Sequence, residues 1–280
     1  MTRSTRDNSP SRAPERRSLL SRSASKMHAA TRLLDDAARY FAFPMGSSRG
    51  VFDSFAKAAR AAPRRALRGY DHQTVAAEYQ QRLDAPLNAT DFPLLFHLSR
   101  LLRPGATVLD FGGEVGTHYI RYSTLLPLHD VQWVVCDLPA MVAMGRQVCA
   151  SFPNVAFITD VAAAPEAEID VFLASGSLQY LDPDERCPIA ALLATGRSIR
   201  YLLIHQLPLG DGPTFVTLQS AGITCYPQAI CNRAEFINRL EGLGFRKRAE
   251  WDDGMNPCRI PFHRSRSVAA STGLLFESVR

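Results

Sequence analysis

Short apolar runs alternate with amphipathic stretches through the middle of the chain. The apolar runs predict strands at Thr107–Phe111, Trp133–Cys136, Val155–Ile158, Val171–Ala174 and Tyr201–Ile204, and the stretches between them predict helices near residues 116–127, 139–151 and 188–197. One strand and one helix recur about every 25–35 residues, the spacing of parallel strands joined by crossover helices. Both faces of such a sheet are covered, so its strands are apolar throughout. The pattern predicts an α/β fold with a Rossmann-like, doubly wound and mostly parallel sheet.

The flanking segments carry weaker patterns. Residues 28–90 predict three helices, and the first of these places four apolar residues on one face, Leu33, Leu34, Ala37 and Phe41. Because these helices have few large apolar residues, we expect them to form an N-terminal helical cap that packs on a domain spanning residues 91–280. After about residue 215, a helix at Arg233–Leu243 and strands at Phe245–Trp251 and Gly273–Glu277 should complete one edge of the sheet with an antiparallel strand.

The net charge of +5 is concentrated at the N-terminus. Residues 1–30 hold seven basic and two acidic side chains, so the rest of the chain is neutral. Because the Ser-, Arg- and Pro-rich segment 1–27 is poor in apolar residues, we expect a disordered basic tail. A basic tail on a neutral body argues against a nucleic-acid substrate.

The sequence also bears on compartment and metal content. No apolar run has the length of a membrane span. Arg16 and Arg17 resemble part of a twin-arginine export signal, but the polar residues that follow do not continue it. The six cysteines have no metal-ligand spacing. We therefore expect a reduced, cytoplasmic protein without a membrane span or a structural metal.

The clearest chemical signal lies where the first two central strands end. The first runs through Asp110 into a turn with glycines at 112, 113 and 116, and the second ends at Asp137, 25 residues after Gly112. Such a turn lets a ligand approach the backbone, and a strand-end acid at this distance accepts hydrogen bonds from ribose hydroxyls. The glycine spacing differs from that of dinucleotide binders. A carboxylate at Asp110 would repel a pyrophosphate and attract a cationic ligand.

On these residues the chain resembles class I S-adenosylmethionine-dependent methyltransferases. It is most similar to a branch associated with surface-polysaccharide biosynthesis, through about residues 50–280. The motifs that carry this likeness are Gly69-Tyr70-Asp71, Asp110-Phe111-Gly112-Gly113, Trp133–Pro139, Leu173–Leu181, Leu207-Pro208-Leu209, Thr217-Leu218-Gln219 and Ile260-Pro261-Phe262-His263.

The resemblance implies a role for each matching position. Gly112, Gly113 and Gly116 would line the methionine end of S-adenosylmethionine, and Asp137 would hold its ribose. At the adenine end, Leu138 would lie against the base, Asp160 would reach the adenine amine and Ser175 would close the pocket. The class has glycine where this chain has Glu114, which bears on how closely the backbone can approach the cofactor.

Methyl transfer requires alignment of donor and acceptor, and an oxygen acceptor also needs a base. His205 and Tyr180, at the ends of two strands, are the predicted catalytic residues, with His118 and His263 as further candidates for the base. We expect the N-terminal helices and the insert 207–232 to enclose a small or medium-sized acceptor, such as a sugar or a lipid-linked intermediate. Tyr226, Pro227 and Trp251 are candidates for its walls or for ordinary core and turn positions.

Two other functions are compatible with these motifs. A nucleotide-cofactor oxidoreductase would also use the acid at Asp137, although Asp110 and the glycine spacing count against it. A catalytically degenerate Rossmann-like protein that only binds a partner is the other alternative, and Glu114 is the residue that favours it.

Overall fold

The computed structural model describes residues 14–183, 185–254 and 257–279, with side chains from Met27 onward. The helices are α1 (Pro14–Ala42), α2 (Phe55–Arg60), α3 (Gln73–Gln81), α4 (Asp91–Leu101), α5 (Thr117–Tyr122), α6 (Pro139–Val148), α7 (Pro188–Ala194) and α8 (Arg233–Gly242). The strands are β1 (Ser48–Phe52), β2 (Leu67–Arg68), β3 (Thr107–Phe111), β4 (Gln132–Cys136), β5 (Val155–Ile158), β6 (Ile169–Ser175), β7 (Ile199–Leu207), β8 (Leu209–Gly210), β9 (Phe215–Ser220), β10 (Thr224–Asn232), β11 (Phe245–Asp252) and β12 (Thr272–Ser278).

A seven-stranded sheet forms the centre of the molecule, in the order β11-β12-β7-β6-β3-β4-β5. Strands β3 to β7 are parallel, and β12 runs antiparallel to both of its neighbours. The chain moves from β3 outward to β5, then returns to β6 on the other side of β3. The predicted α/β, Rossmann-like, doubly wound sheet is confirmed, and the reversal of strand order falls between β3 and β6.

The central strands are apolar throughout because each side of the sheet packs against a core. Val108 and Leu109 are both fully buried, yet Val108 belongs to the core beside α4 and α5 and Leu109 to the core beside α7 and α8. Successive side chains of a strand point to opposite faces, so neighbouring residues serve different cores. Burying each such side chain stabilises the fold by about 1.5–3 kcal/mol.

A second, smaller sheet corrects the expectation of a purely helical cap. Its order is β1-β9-β10-β2, with β8 also paired to β10, so the N-terminal segment supplies β1 and β2 and the insert 207–232 supplies the rest. The glycines at 46 and 50 do break the helical pattern, but β1 begins between them. The predicted second and third helices are present as α2 and α3.

The first helix is longer than predicted, since α1 begins at Pro14 inside the segment 1–27 expected to be a disordered tail. Residues 1–13 of that tail lie outside the described residues. The predicted apolar face of α1 is largely exposed at Leu33, Leu34 and Phe41. Polar contacts help to hold α1 on the fold: buried Asp36 accepts hydrogen bonds from Arg259 Nη2 at 2.8 Å and from the Phe262 amide at 3.2 Å.

Three further observations concern membrane-spanning helices, metal sites and the state of the cysteines. Within the described ranges, no helix combines the length and apolar character needed to cross a membrane. Over the same ranges, no three His, Cys, Asp or Glu side chains come together in a way that could hold a metal ion. The six cysteines are free thiols.

Candidate functional site

The turn after β3 depends on glycine for steric reasons. Gly112 has φ = +73°, and a Cβ at this position would overlap the Ser177 side chain. Gly116, with φ = +93°, is the N-cap residue of α5, and a Cβ there would lie 2.7 Å from Cys149 Sγ. Ser177 Oγ also donates a hydrogen bond to the Phe111 carbonyl at 2.7 Å, which joins the turn to the end of β6. Any larger residue at 112 or 116 would therefore displace its neighbours.

Glu114 takes the left-handed conformation, with φ = +59°, although it has a side chain. This conformation costs a non-glycine residue about 1–2 kcal/mol. Its amide donates to Asp137 Oδ2 at 2.7 Å, and its Oε2 accepts from Thr117 Oγ1 at 2.7 Å. The backbone thus keeps a conformation suited to glycine, and the carboxylate remains in the site.

Asp110 lies beneath this turn and is fully buried. Its carboxylate accepts hydrogen bonds from His118 Nδ1 at 3.0 Å and from Trp133 Nε1 at 3.1 Å. Burial acts to lower the pKa of His118, but the charge and hydrogen bond of Asp110 outweigh it and raise that pKa to about 9. A Cβ at Gly113 would overlap the same carboxylate. The predicted contact of Asp110 with a cationic ligand does not fit this burial: its partner is His118, and it supports the turn from below.

A cavity of about 360 Å³ opens above the turn, at the carboxyl ends of β3, β4 and β6. We call it the donor cavity. Of the predicted cofactor residues, four line it: Gly112, Asp137, Leu138 and Ser175. This is the point where the strand order reverses, which is where ligands bind in doubly wound sheets.

Asp137 presents a nearly buried carboxylate to this cavity. Burial raises its pKa to about 7, although hydrogen bonds from the Leu138 and Glu114 amides, at 2.6 Å and 2.7 Å, act in the opposite direction. The nearby carboxylates of Glu114 and Asp110 raise it further. Each carboxylate oxygen accepts one backbone amide and retains a second lone pair for a ligand.

The remaining predicted cofactor residues do not line the donor cavity in the described part of the chain. Gly113 and Gly116 are buried within the turn and shape it. Asp160 is exposed and accepts a hydrogen bond from the Ala162 amide at 2.9 Å, which begins a short 3₁₀ helix. The described hydrogen bond of Asp160 is thus a local cap, and its predicted contact with adenine stays a prediction.

A second cavity, of about 620 Å³, adjoins the first; we call it the acceptor cavity. Its polar lining comes mainly from four glutamines and two arginines: Gln179, Gln206, Gln219, Gln228, Arg39 and Arg259. Gln179 and Gln228 are each 5% exposed, and their Oε1 atoms have no hydrogen-bond partner among the described residues. Such buried acceptors are costly unless a ligand or water supplies a donor.

The two arginines of the acceptor cavity are already paired. Arg259 Nη2 lies 2.6 Å from Asp35 Oδ2 and 2.8 Å from Asp36 Oδ1, and Arg39 Nε lies 3.2 Å from Asp35 Oδ1. The cavity therefore offers hydrogen-bonding groups rather than unpaired cations.

Tyrosines stand between the two cavities. The rings of Tyr70 and Tyr226 stack with centroids 4.0 Å apart, and Tyr180 contacts both rings at 5.3 Å and 4.7 Å. Tyr180, a predicted catalytic residue, lines both cavities, and its hydroxyl donates to Gln219 Oε1 at 2.7 Å. Burial raises the pKa of Tyr180, so its hydroxyl stays protonated. Tyr180 is thus placed to orient a ligand rather than to act as a base.

His205 does not reach either cavity in the described structure, contrary to the predicted catalytic position. It is 1% exposed, its Nε2 donates to the Thr90 carbonyl at 2.8 Å, and its ring packs on Trp251 at 5.8 Å. Burial lowers its pKa. The physical reason is strand alternation: His205 shares a face of β7 with Leu203, so the following residue, Gln206, lies on the other face and lines the acceptor cavity. Trp251 belongs to the core, and His263 lies exposed in a loop.

Several residues of the site were missed from the sequence. Tyr79 lines both cavities from α3, but a single tyrosine on a short helix carries no motif. Gln206 and Gln228 come from segments that meet only through the second sheet. A usable signal existed for Tyr70, Gln179 and Gln219, which all stand in motifs that carried the family resemblance.

Comparison with known proteins gives distant structural matches. No family model and no curated protein matches the sequence. A 1,6-didemethyltoxoflavin-N1-methyltransferase from Burkholderia thailandensis, solved with 1,6-didemethyltoxoflavin and S-adenosylhomocysteine, is 17% identical with a TM-score of 0.49, covering 78% of this chain and 93% of that chain. An amino pentose methyltransferase from Micromonospora echinaspora, solved with S-adenosylmethionine, is 14% identical with a TM-score of 0.45, covering 72% and 96%. Matches of this distance assign no activity, which must be argued from the residues of the site.

Proposed function

We propose that the protein is an S-adenosylmethionine-dependent methyltransferase that acts on a small or medium-sized polar acceptor. The observation that carries this proposal is the pair of adjoining cavities at the carboxyl ends of the parallel strands. One cavity contains Asp137 and Leu138, the other is lined by glutamines, and Tyr180 lines both. A group-transfer enzyme needs such a pair of sites, because donor and acceptor must be held in contact.

The donor cavity suits the adenosine end of S-adenosylmethionine. Its volume of about 360 Å³ lies within the ordinary range of ligand pockets. Asp137 would accept hydrogen bonds from the ribose hydroxyls, and Leu138, which is 40% exposed, would cover the adenine. Gly112 would let the methionine end approach the turn. The cofactor supplies an activated methyl group, and these residues bind and orient it.

The charges of the donor cavity favour this cofactor over a dinucleotide. Asp137 and Glu114 both line the cavity, and neither forms an ion pair with a cationic side chain among the described residues. Arg186 also lines the cavity, so with both carboxylates ionised one negative charge remains in excess, which repels a pyrophosphate and attracts the cationic groups of S-adenosylmethionine. Glu114 also keeps the backbone conformation of the turn, which counts against a degenerate site.

The acceptor cavity supports a polar acceptor with several hydrogen-bond donors. The Oε1 atoms of Gln179 and Gln228 are placed to accept from hydroxyl or amine groups. The enclosing walls come from the N-terminal segment, the insert and the loop around Arg259, which suits a sugar or the polar head of a lipid-linked intermediate better than a macromolecular surface. Tyr180 would help to orient this acceptor through its protonated hydroxyl.

Calorimetric titration of the full chain with S-adenosylmethionine, S-adenosylhomocysteine and NAD tests the proposal. We expect both adenosyl ligands to bind and NAD not to bind. Asp137→Ala should weaken S-adenosylhomocysteine by about 1.5–3 kcal/mol, as expected for lost hydrogen bonds to a charged group. Asp160→Ala is the matched control, since this strand-end acid lies outside the cavity and its removal should leave affinity unchanged. Binding of NAD alone, or equal affinity in the wild type and Asp137→Ala, would contradict the assignment.

A further inference from the structure

Glu114 stands at the opening between the two cavities. Six of the described residues line both cavities: Tyr70, Tyr79, Glu114, Ser175, Gly176 and Tyr180. A methyl group that moves from the donor cavity to the acceptor cavity has to pass between them. Glu114 is the acidic member of this set, so a carboxylate borders the path of transfer.

The carboxylate of Glu114 is only partly engaged. Thr117 Oγ1 donates to its Oε2 at 2.7 Å, which leaves Oε1 free of a described donor. Each carboxylate oxygen of Asp137, in contrast, accepts a hydrogen bond from a backbone amide, and Asp137 lines the donor cavity but not the acceptor cavity. Glu114 is therefore the acid with an oxygen available at the opening itself.

The groups around Glu114 leave this opening negative. The charged and titratable groups that face it are Asp110 from β3, Asp137 after β4, His118 from α5, Tyr79 from α3, Arg82 directly after α3, and Tyr70 and Tyr180 at the opening itself. Arg186 lines the donor cavity as well, and it offsets one of the two carboxylates there. Asp110 and His118 pair with each other at 3.0 Å, and Arg82 lies 3.4 Å from Glu78. Burial raises the pKa of Glu114, while the Thr117 hydrogen bond and the His118 charge act against that rise. A cation bound at the opening would favour the ionised carboxylate.

We propose that Glu114 faces the sulfonium of the bound methyl donor and makes the protein bind S-adenosylmethionine in preference to S-adenosylhomocysteine. This inference rests on the proposed methyltransferase function. The two molecules share their adenosine and amino-acid ends and differ in one methyl group with its positive charge. When the S–CH₃ bond breaks, its electron pair stays on sulfur, which becomes a neutral thioether. The attraction to Glu114 then disappears, so the same residue holds the donor and lets the product leave.

The test compares both ligands on the full-length wild type and on Glu114→Gln, by calorimetry at pH 6, 7 and 8. At pH 8 we expect the preference for S-adenosylmethionine over S-adenosylhomocysteine to fall at least tenfold in Glu114→Gln, because opposite charges in a partly buried site attract strongly. Affinity for S-adenosylhomocysteine should change less than threefold. In the wild type the preference should grow with pH as Glu114 ionises, and in Glu114→Gln it should stay constant. Asp137→Asn should weaken both ligands by similar factors.

Two results would overturn the inference. One is an unchanged preference in Glu114→Gln. The other is an equal loss for both ligands, which would place Glu114 at the α-ammonium group that both molecules carry. If the wild type bound neither S-adenosylmethionine nor S-adenosylhomocysteine, the proposed function itself would be rejected. The wild type alone gives that result, so it is distinguishable from a failure of the Glu114 inference. Glu114→Gly provides the check on folding: glycine suits the left-handed backbone, so this variant should fold and show the same loss of preference.

Discussion

The glycine turn after β3 separates one fully buried acid from two partly buried acids, and their surroundings are opposite. Below the turn, Asp110 has a protonated partner, since its charge raises the pKa of His118 to about 9 despite burial. Above it, Asp137 and Glu114 accept their described hydrogen bonds from backbone amides and a hydroxyl, and burial raises the pKa of Asp137 to about 7. A paired acid stabilises the folded chain, and an unpaired one destabilises it until a ligand supplies the missing positive charge. Three acids of similar sequence context therefore divide between folding and binding.

Asp110→Asn tests the lower group and should have the largest effect. It leaves a buried His118 without its counter-charge, and breaking a buried pair in this way costs about 3–5 kcal/mol. Urea unfolding at pH 7 measures this loss. His118→Gln is the matched partner variant, and the double variant should lose less than the sum of the two single losses. A loss below about 1 kcal/mol in Asp110→Asn would remove the distinction between the two groups.

Asp137→Asn tests the upper group through pH. Below pH 3.8 the carboxyl is protonated in both folded and unfolded chains. Between 3.8 and about 7 the unfolded chain releases this proton and the folded chain keeps it, so the free energy of unfolding falls as pH rises. The whole window corresponds to roughly 4 kcal/mol. We therefore expect Asp137→Asn to gain stability relative to the wild type as pH increases from 4.5 to 8, by on the order of 2–4 kcal/mol.

Urea unfolding at pH 4.5, 6 and 8 measures that change for the wild type, for Asp137→Asn and for Asp160→Asn. Asp160→Asn removes an exposed acid, so the pH dependence of its free energy of unfolding should be the same as that of the wild type. Parallel curves for the wild type and Asp137→Asn would show that Asp137 is compensated in the folded chain, as Asp110 is.

Glu114→Gly should produce the smallest change, a gain of about 1 kcal/mol at pH 8. Glycine removes the 1–2 kcal/mol cost of the left-handed conformation, offset by its larger loss of backbone entropy on folding. Glu114→Ala removes the same carboxylate but keeps the strained conformation, so the difference in melting temperature between the two variants isolates the backbone contribution. Equal melting temperatures would mean that charge, and not conformation, sets the stability of this position.

The central sheet was predictable because its information is local. Each strand of β3 to β7 is an apolar run, and the segments between successive strands cross over from one to the next. The second sheet was not predictable, because β1 pairs with β9 across the length of the chain and β1 itself, Ser48–Phe52, has only two large apolar residues. The expected helical cap was therefore incomplete.

The site divides in the same way. Gly112, Asp137, Leu138 and Ser175 were predictable because strand ends in a doubly wound sheet meet at one edge. The side on which a strand-end residue lies was not: His205 shares a face of β7 with Leu203 and packs on Trp251, and its neighbour Gln206 lines the acceptor cavity. The pairing of Asp110 with His118 likewise depends on the direction of α5, which the sequence pattern does not specify.

The pairing of β1 with β9 also determines when the acceptor cavity can form. Thr217 in β9 donates its hydroxyl to the Arg49 carbonyl in β1 across 168 residues of chain. At a synthesis rate of about 5–20 residues per second, β1 leaves the ribosome roughly ten to thirty seconds before its partner. The five parallel strands, which end at Leu207, are complete before β9 has been made. On a growing chain the five parallel strands are thus made first, and the N-terminal segment waits for the insert, which also brings Tyr226 and Pro227 to the donor cavity, before the wall of the acceptor cavity can close.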